Sequence, residues 1–190
     1  MTPEKKINRR KFIGSATAAS LAFTIVPRNV IGGSGFVAPS DKVTLGYIGC
    51  GTQGLREMAD LLPNPKIQIV AVCDPNKRST DYIDWSPFGI RNDIRKVLSD
   101  QSWGEGVQGI LGGRDVGQDF IEKYYAKDKA AGKFKGCSSY EDFRELLEKE
   151  KDVDAFKIMT PDHLHATISI AAMKKGKHIV IHKPIANRIY

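Results

Sequence analysis

The sequence has few cysteines, and those few are scattered. Cys50, Cys73 and Cys137 are widely spaced among 190 residues, and no two of them form a CxxC pair. An odd, dispersed set of this kind predicts neither a disulfide framework nor a zinc knuckle. We interpret Cys50 and Cys73 as small packing residues rather than redox centres.

Most of the chain also lacks an excess of charge of one sign. The formal net charge is +7, but residues 1–40 contain six Lys or Arg against one Glu, and the remaining 150 residues carry 23 basic and 21 acidic side chains. The main part of the chain therefore presents no field that would attract DNA or RNA, and no nucleic-acid partner is predicted. A content of 41% hydrophobic and 27% charged residues excludes collagen-like, low-complexity and disordered classes, and the length suits one α/β domain.

Residues 1–31 are predicted to be a leader for export. Arg9 and Arg10 form a twin-arginine pair, and an uncharged, mildly apolar stretch follows at 13–26. Its fourteen residues are too few to cross a bilayer of about 30 Å as a helix, but they suit the apolar region of a signal peptide. We therefore expect the twin-arginine export machinery to be a partner of the protein.

The fate of the leader stays open in the sequence. Residues 37–39 (VAP) are not a clean A-x-A cleavage site, and Pro39 would hinder a peptidase. Both a periplasmic protein and one that an uncleaved leader anchors to the membrane are consistent with this pattern. The alternative is an amphipathic first helix of a cytoplasmic domain, but the stretch lacks a 3.6-residue periodicity. A Gly-, Ser- and Pro-rich linker at 32–40 is expected to precede the folded domain, which we place at 41–190.

The domain alternates between strand and helix patterns. Strands are predicted at 42–48, 67–73, 133–137, 153–159 and 178–181, and helices at about 55–62, 139–149 and 161–175. Ser139, with Asp142 three residues later, is expected to open the second helix as a capping box, and Asp162 is expected to cap the third. Repeated β–α–β spacing implies a doubly wound parallel sheet of the Rossmann type with right-handed crossovers.

A glycine-rich turn joins the first predicted strand to the first predicted helix. Gly49, Gly51 and Gly54 have G-x-G-x-x-G spacing, with Thr52 and Gln53 before the last glycine. In this motif the first glycine permits a tight turn, the second lets a pyrophosphate approach, and the third allows helix and strand to pack closely. The helix N-terminus adds N–H donors and partial positive charge. The segment therefore predicts a dinucleotide-binding turn.

Asp74 ends the second predicted strand, twenty residues after Gly54. An acidic residue at this place accepts hydrogen bonds from the ribose hydroxyls and repels a 2′-phosphate, which predicts NAD as the cofactor. Lys77 and Arg78 follow closely and would neutralise a 2′-phosphate, so NADP stays open. The alternative is a structural turn with an ordinary surface aspartate.

Two further motifs make a family resemblance visible. Residues 157–165 are KIMTPDHLH, and residues 178–184 are HIVIHKP. With the glycine turn and Cys73-Asp74-Pro75, they resemble the Gfo/Idh/MocA oxidoreductases, over 41–74 and 133–190. The resemblance implies the NAD(P)-binding domain of an exported enzyme that transfers a hydride between a nicotinamide cofactor and a sugar- or polyol-like hydroxyl.

The resemblance also implies roles for individual residues. It assigns five residues to the loop that lines the cofactor cleft: Thr160, Pro161, Asp162, His163 and His165. The lysine of the family's Glu-Lys-Pro motif corresponds to Lys183, a cofactor-binding and catalytic residue whose ammonium would orient the substrate hydroxyl and stabilise a developing alkoxide. This chain has His182 where the family usually has glutamate, which puts in doubt the tuning of Lys183 by that charge.

Each of these residues also has a simpler interpretation. Taken alone, Lys183 would be a surface lysine, and Asp162 an ordinary helix cap. His163 and His165 are two positions apart and face different directions on a helix, so no metal site is predicted.

Residues 75–115 resemble the family poorly. They contain Trp85, Phe88, Trp103 and a glycine-rich turn at 112–114, and residues 93–98 favour a short amphipathic helix. One interpretation is a lid or an oligomer contact beside the adenosine end of the cofactor, and the other is a solvated insertion.

In this family an α/β substrate domain, which carries the catalytic histidine, follows the cofactor domain. The sequence reaches Tyr190 just after the fifth predicted strand, so we expect a fold that is incomplete at its C-terminus and a sequence without the second domain. Such a chain is expected to bind cofactor without turnover, and a homo-oligomer would form through the missing domain. Two alternatives stay open: an NAD-dependent glycoside hydrolase of the same family, and a non-catalytic dinucleotide-binding module.

Overall fold

The computed structural model describes residues 39–84, 86, 88–127 and 136–188. The chain divides into two units, residues 1–40 and 41–190. The predicted leader at 1–31, most of the predicted linker and Trp85 lie outside the described residues. In the part of the chain that is described, no helix is long and apolar enough to cross a membrane.

The described residues after the 3-10 helix Pro39–Asp41 form strands and helices in alternation. The strands are β1 (Val43–Ile48), β2 (Ile67–Cys73), β3 (Ser79–Tyr82), β4 (Ile110–Gly112), β5 (Ser138–Tyr140), β6 (Ala155–Ile158) and β7 (His178–Ile181). The helices are α1 (Thr52–Leu61), α2 (Gly89–Leu98), α3 (Arg114–Ala126), α4 (Phe143–Lys149) and α5 (Asp162–Lys174). β2 and β7 have the predicted bounds, whereas β1 and β6 are slightly shorter than predicted.

Five parallel strands form the main sheet in the order β5-β2-β1-β6-β7. The chain moves outward from β1 to β2 and β5, and then continues on the other side of β1 with β6 and β7. This reversal is the doubly wound arrangement, and it confirms the predicted α/β fold of the Rossmann type. Ligands of such sheets bind at the carboxyl ends of the strands, where the strand order reverses.

Helices cover both faces of the sheet. On one face, Tyr47 of β1 packs with Leu55 and Met58 of α1 in an apolar cluster that α2 and α3 extend. On the other face, Phe156 and Ile158 of β6 pack beneath α4 and α5. These side chains are almost completely buried, and burying each large apolar side chain contributes about 1.5–3 kcal/mol. The two cores hold the ends of β1, β2 and β6 in fixed relative positions.

The segment around β5 differs from the prediction. Residues 133–135 lie outside the described residues, and residues 136–137 belong to no strand. Ser139 pairs with Val72 inside β5, so it does not open a helix. Asp142 caps α4 instead, because its carboxylate accepts the N–H of Arg144 at 2.8 Å. Both residue types favour the N-cap position, and pairing with β2 decided between them.

The insertion predicted at residues 75–115 lies between β2 and the crossover helix α3, which begins at Arg114. β3 and β4 pair antiparallel in a separate two-stranded sheet, and α2 begins at Gly89, earlier than the predicted helix at 93–98. Trp103 is buried in the same apolar cluster as Tyr47. A purely solvated insertion would leave a tryptophan exposed, so this segment is an integral part of the core.

The sequence analysis missed helix α3. Val116, Phe120 and Ile121 are almost completely buried, and their spacing is that of one helix face. Tyr124 continues this face and packs against the same cluster. The periodicity was therefore present, although two glycines at the start of the segment obscured it.

Candidate functional site

A cleft of about 540 Å³ lies at the carboxyl ends of β1, β2 and β6. Four segments line it: residues 48–54, residues 73–76, residues 82–83 of the insertion, and the loop from Met159 into α5. Eight residues that the sequence assigned to the cofactor are in its wall: Gly49, Gly51, Thr52, Gln53, Gly54, Asp74, Thr160 and Pro161. The fold thus brings together two motifs that are more than a hundred residues apart in the chain.

The first and third positions of the turn require glycine for different structural reasons. Gly49 has φ +100°, and a Cβ there would lie 2.7 Å from the carbonyl of Met159. A Cβ at Gly54 would overlap the carbonyl oxygen of Gly49. Glycine at both positions therefore allows α1 to begin directly against the ends of β1 and β6, which is the packing expected of a dinucleotide-binding turn.

Asp74 is 8% exposed and holds the glycine turn in place. Its Oδ2 accepts the N–H of Cys50 at 2.7 Å, and its Oδ1 accepts the N–H of Asn76 at 2.8 Å. Each carboxylate oxygen can accept a second hydrogen bond. The residue can therefore serve a ribose hydroxyl, as predicted, while it also fixes the backbone of the turn. Lys77 and Arg78 are exposed and do not line this cleft.

Arg114, the first residue of α3, fixes the segment that follows Asp74. Its guanidinium donates to the carbonyl oxygens of Asp74 and Pro75 at 3.0 and 2.9 Å, and it also pairs with Glu141 at 2.9 Å. Three interactions from one planar group leave the 74–75 segment little freedom. Arg114 therefore stabilises the part of the cleft wall that follows β2.

Thr160 supplies a polar group that still needs a partner. Its Oγ1 is buried and finds no hydrogen-bond partner among the described residues. A buried hydroxyl without a partner is unfavourable by about 1–3 kcal/mol. Because Thr160 lines the cleft, a bound molecule with a hydrogen-bonding group would remove this penalty, and the residues present fit a polar cofactor.

His165 lies beneath the cleft rather than in its wall. The side chain is 1% exposed, with Nδ1 2.6 Å from the carbonyl oxygen of Pro184 and Nε2 2.8 Å from that of Thr160. The ring therefore links the loop after β6 to the segment after β7. It acts on the cleft by positioning Thr160 and does not line it.

The remaining predicted residues of the loop and the cofactor cleft lie at the surface. Asp162 and His163 are exposed, and neither lines the cleft. The predicted cap was wrong, because α5 begins at Asp162 and its N-cap position is Pro161. Asp162 still places a negative charge in the first turn, where the helix dipole favours it. Among the described residues, no group of three or more His, Cys, Asp or Glu could hold a metal ion.

Lys183 is exposed and does not line the cleft. Both of its neighbours are held in place. His182 Nδ1 lies 3.0 Å from Glu57 Oε1 on α1, and the Pro184 carbonyl lies against His165. The backbone at Lys183 is therefore fixed from both sides, at the same edge of the sheet as the cleft.

Glu57 is a residue that sequence reasoning missed. Its Oε2 lies 2.5 Å from the Nζ of Lys157, which is 9% exposed in β6. Burial alone would raise the pKa of Glu57, but hydrogen bonds from Lys157 and Gln53, with the charges of Lys157 and His182, lower it. Glu57 thus places an ionised carboxylate beside His182, the residue that replaces the glutamate expected at this position. No local spacing links residue 57 to residue 182, so the sequence contained no signal for this pair.

A second cavity of about 350 Å³ adjoins the cleft on the side of α4. Pro75, Phe143 and Leu164 give it an apolar lining, and Thr160 borders both cavities. Arg144 lies over the ring of Phe143, with 4.5 Å between the guanidinium carbon and the ring centroid. The site therefore combines a polar turn with an adjoining apolar pocket.

Comparison with known proteins agrees with this geometry. Residues 117–189 match the GFO_IDH_MocA family model, described as "Oxidoreductase family, NAD-binding Rossmann fold". The match covers the chain from α3 to the segment after β7 and includes the Thr160 loop. This match supports the predicted NAD-binding Rossmann fold, and it does not include the glycine turn or Asp74.

Individual relatives match over different lengths. A levoglucosan dehydrogenase from Pseudarthrobacter phenanthrenivorans is 43% identical over 58 residues, which is 30% of this chain and 15% of that protein. A glycosyl hydrolase family 109 protein from Solibacter usitatus is 27% identical over 151 residues, which is 80% of this chain and 26% of that protein. A solved structure of myo-inositol dehydrogenase from Lactobacillus casei is 19% identical, with a TM-score of 0.45 over 76% of this chain and 29% of that one. The chain thus spans less than a third of the length of each of these relatives.

Proposed function

Since these findings support the Gfo/Idh/MocA oxidoreductase family with its NAD-binding Rossmann fold, we propose that the chain is the cofactor-binding part of an NAD-dependent oxidoreductase that acts on a sugar- or polyol-like hydroxyl. The observation that carries the proposal is the cleft in which the glycine turn and Asp74 converge with the Thr160 hydroxyl, which has no hydrogen-bond partner among the described residues. When bound, the nicotinamide would supply the hydride acceptor or donor.

Each part of the site has a distinct task in this proposal. The turn at 49–54 and the N-terminus of α1 bind the pyrophosphate through backbone N–H groups. Asp74 accepts hydrogen bonds from the ribose hydroxyls through the lone pairs that do not already accept the backbone N–H groups of Cys50 and Asn76. The apolar pocket lined by Pro75, Phe143 and Leu164 suits the adenine ring, and the Thr160 hydroxyl serves the other end of the cofactor.

Lys183 is the proposed catalytic residue. Its ammonium orients the substrate hydroxyl and stabilises negative charge on the oxygen as the proton leaves. The fixed positions of His182 and Pro184 support this role, because catalysis needs the side chain to start from a defined backbone position.

The first test is cofactor binding by the 190-residue chain. Calorimetric titration should show binding of NAD and NADH, and the absence of binding would refute the proposal. A second test uses whole-length protein and measures NADH formation across a panel of sugars and polyols. Lys183→Ala should lower kcat about 10²- to 10⁴-fold with little change in cofactor affinity. Lys174→Ala, an exposed lysine at the end of α5, is the matched control and should leave both unchanged.

A second candidate function is NAD-dependent glycoside hydrolysis, which oxidises the sugar transiently and ends without net redox change. The observation in its favour is that glycosyl hydrolase family 109 proteins match 80% and 95% of this chain. Turnover of a glycoside without an added electron acceptor would separate this activity from a dehydrogenase. Binding of cofactor without either activity in whole-length protein would favour a non-catalytic binding module.

The twin-arginine pair at residues 9 and 10 supports a further proposal, export by the twin-arginine route. This route carries folded proteins, which suits a domain that loads a cytoplasmic cofactor and has three buried free cysteines. Whether the leader is cleaved decides between a periplasmic and a membrane-anchored protein, and the mass of the exported form would show it.

A further inference from the structure

Tyr82, the last residue of β3, is built into the wall of the cleft between two glycines. A Cβ at Gly51 would lie 3.1 Å from the Cε1 atom of the ring, and a Cβ at Gly112 would lie 2.5 Å from Cδ2 and Cε2. The ring therefore fits edge-on because glycine stands on both sides of it. Gly51 thus has a tertiary role in addition to the one its motif predicts, since it accepts a ring from the insertion.

The hydroxyl of Tyr82 belongs to the same network as Asp74. It accepts a hydrogen bond from Nδ2 of Asn76 at 3.1 Å, and the N–H of Asn76 donates to Asp74 at 2.8 Å. A phenol has one proton to donate as well as lone pairs, and no residue in the described ranges accepts that proton. Burial and the charge of Asp74 raise the pKa of Tyr82, so the hydroxyl keeps its proton at neutral pH.

The residues after Tyr82 are fastened to the start of α1. Thr52 Oγ1 donates to the carbonyl oxygen of Ile83 at 2.9 Å, and Asp84, whose side chain is 1% exposed, pairs with Arg56 at 2.8 Å. The Ile83 side chain is nevertheless 88% exposed while it borders the cleft. The backbone of Ile83 is therefore held in place, while its apolar side chain remains exposed at the border of the cleft.

We propose that residues 82–83 of the insertion bind the cofactor directly: the Tyr82 hydroxyl donates a hydrogen bond to the adenosine ribose or its phosphate, and Ile83 covers that part of the ligand. This inference rests on the proposed function, namely that the cleft binds a dinucleotide. The adenosine half is assigned because the neighbours of the hydroxyl, Asn76 and Asp74, follow β2, where the adenosine ribose binds in folds of this type.

The test compares two tyrosine-to-phenylalanine variants of the 190-residue chain by calorimetric titration with NAD and with ADP-ribose. Tyr82→Phe keeps the ring between its glycines and removes only the hydroxyl, so the fold is expected to survive. We expect the Kd for both ligands to rise by the same factor, about 3- to 10-fold, for the loss of one hydrogen bond. Tyr140→Phe, which removes a hydroxyl that pairs with Glu150 at 2.6 Å, is the matched control and should leave both values unchanged.

Ile83→Ala provides an independent variant. Because this side chain is 88% exposed, truncation should not change the thermal unfolding midpoint, while the Kd for both ligands should rise about 2- to 5-fold.

Each outcome of this comparison is decisive. If the unchanged protein binds NAD and Tyr82→Phe binds it equally well, the inference is overturned and the proposed function stands. A loss for NAD without a loss for ADP-ribose would place the hydroxyl at the nicotinamide half and would also overturn the assignment. If the unchanged protein binds neither ligand, the proposed function fails together with this inference.

Discussion

Replacing Asp74 by asparagine tests the structural and the cofactor role of this residue together. In the structure both carboxylate oxygens accept backbone N–H groups, that of Cys50 at 2.7 Å and that of Asn76 at 2.8 Å. An amide of the same size has one oxygen to accept and an NH₂ group that only donates. After Asp74→Asn, one of the two N–H groups therefore faces another donor.

The expected loss of stability follows from these contacts. A hydrogen bond to a charged group contributes about 1.5–3 kcal/mol, and a buried N–H without an acceptor is unfavourable by about 1–3 kcal/mol. Because Cys50 is completely buried and Asp74 is only 8% exposed, water has little access to an N–H group that loses its acceptor. We expect Asp74→Asn to lower the free energy of unfolding by about 2–4 kcal/mol, measured by urea denaturation.

The effect on cofactor binding should differ between NAD and NADP. Loss of a charge-assisted pair with the ribose hydroxyls should weaken NAD by about 1–3 kcal/mol, which is roughly 5- to 150-fold in Kd. NADP should weaken less, because the substitution also removes the repulsion between the Asp74 carboxylate and a 2′-phosphate. Calorimetric titration should therefore show a narrower gap between the two cofactors.

Asp154→Asn is the matched control for this experiment. The carboxylate of Asp154 also accepts two hydrogen bonds, from the N–H and Oγ1 of Thr44, both at 2.7 Å. It is exposed and lies at the amino end of β6, at the opposite edge of the sheet from the cleft. Asp154→Asn should lower the free energy of unfolding less than Asp74→Asn does, and it should leave the affinity for NAD unchanged. Equal affinity of the unchanged protein for NAD and NADP, or an unchanged ratio in Asp74→Asn, would refute the cofactor role.

Three further predictions concern the turn, the insertion and the leader. Gly54→Ala should lower the free energy of unfolding by about 2–4 kcal/mol, because the added Cβ would overlap the backbone of Gly49. The control is Gly106→Ala, which lies in open space at φ +72° and should lower the free energy of unfolding by only about 1 kcal/mol. Similar losses for the two variants in urea denaturation would contradict this prediction. Burial alone would raise the pKa of Asp84, but the Arg56 ion pair and two N–H donors lower it, so its stabilisation is present above the ordinary pKa of about 3.9 and is lost as the pH falls through the lowered value. Urea denaturation from pH 7 to pH 3 should therefore show that the free energy of unfolding falls less steeply with acid in Asp84→Asn than in the unchanged protein. The same pH dependence in both proteins would argue against the ion pair. Lysine in place of both arginines of the pair at 9–10 should leave the protein in the cytoplasm, as fractionation of a tagged form would show, and unchanged export would contradict the leader prediction.

The predictions succeeded where a residue's surroundings are local. The bounds of β2 follow from a nearly continuous apolar run, and those of β7 follow from the Lys-Lys-Gly stop before it and the change to polar residues after it. The glycine turn was placed correctly because its geometry depends on residues within one turn of each other. The choice between Ser139 and Asp142 as a helix cap could not be made locally, because it depends on whether β5 pairs with β2.

By itself the sequence determined the alternation of β1, α1 and β2 and that of β6, α5 and β7, together with the dinucleotide-binding turn and the acidic residue that follows β2. Periodicity and short spacings report which side chains of these segments face a core or a turn. Only the tertiary structure decided that Glu57 supplies a carboxylate to His182, that His165 ties two loops together from below, and that Tyr82 packs against Gly51. These contacts join residues between 19 and 125 positions apart, apart from the short link of His165 to Thr160. Their formation depends on how the two cores dock the insertion and the strand ends against each other, and no repeating pattern in the chain encodes that docking.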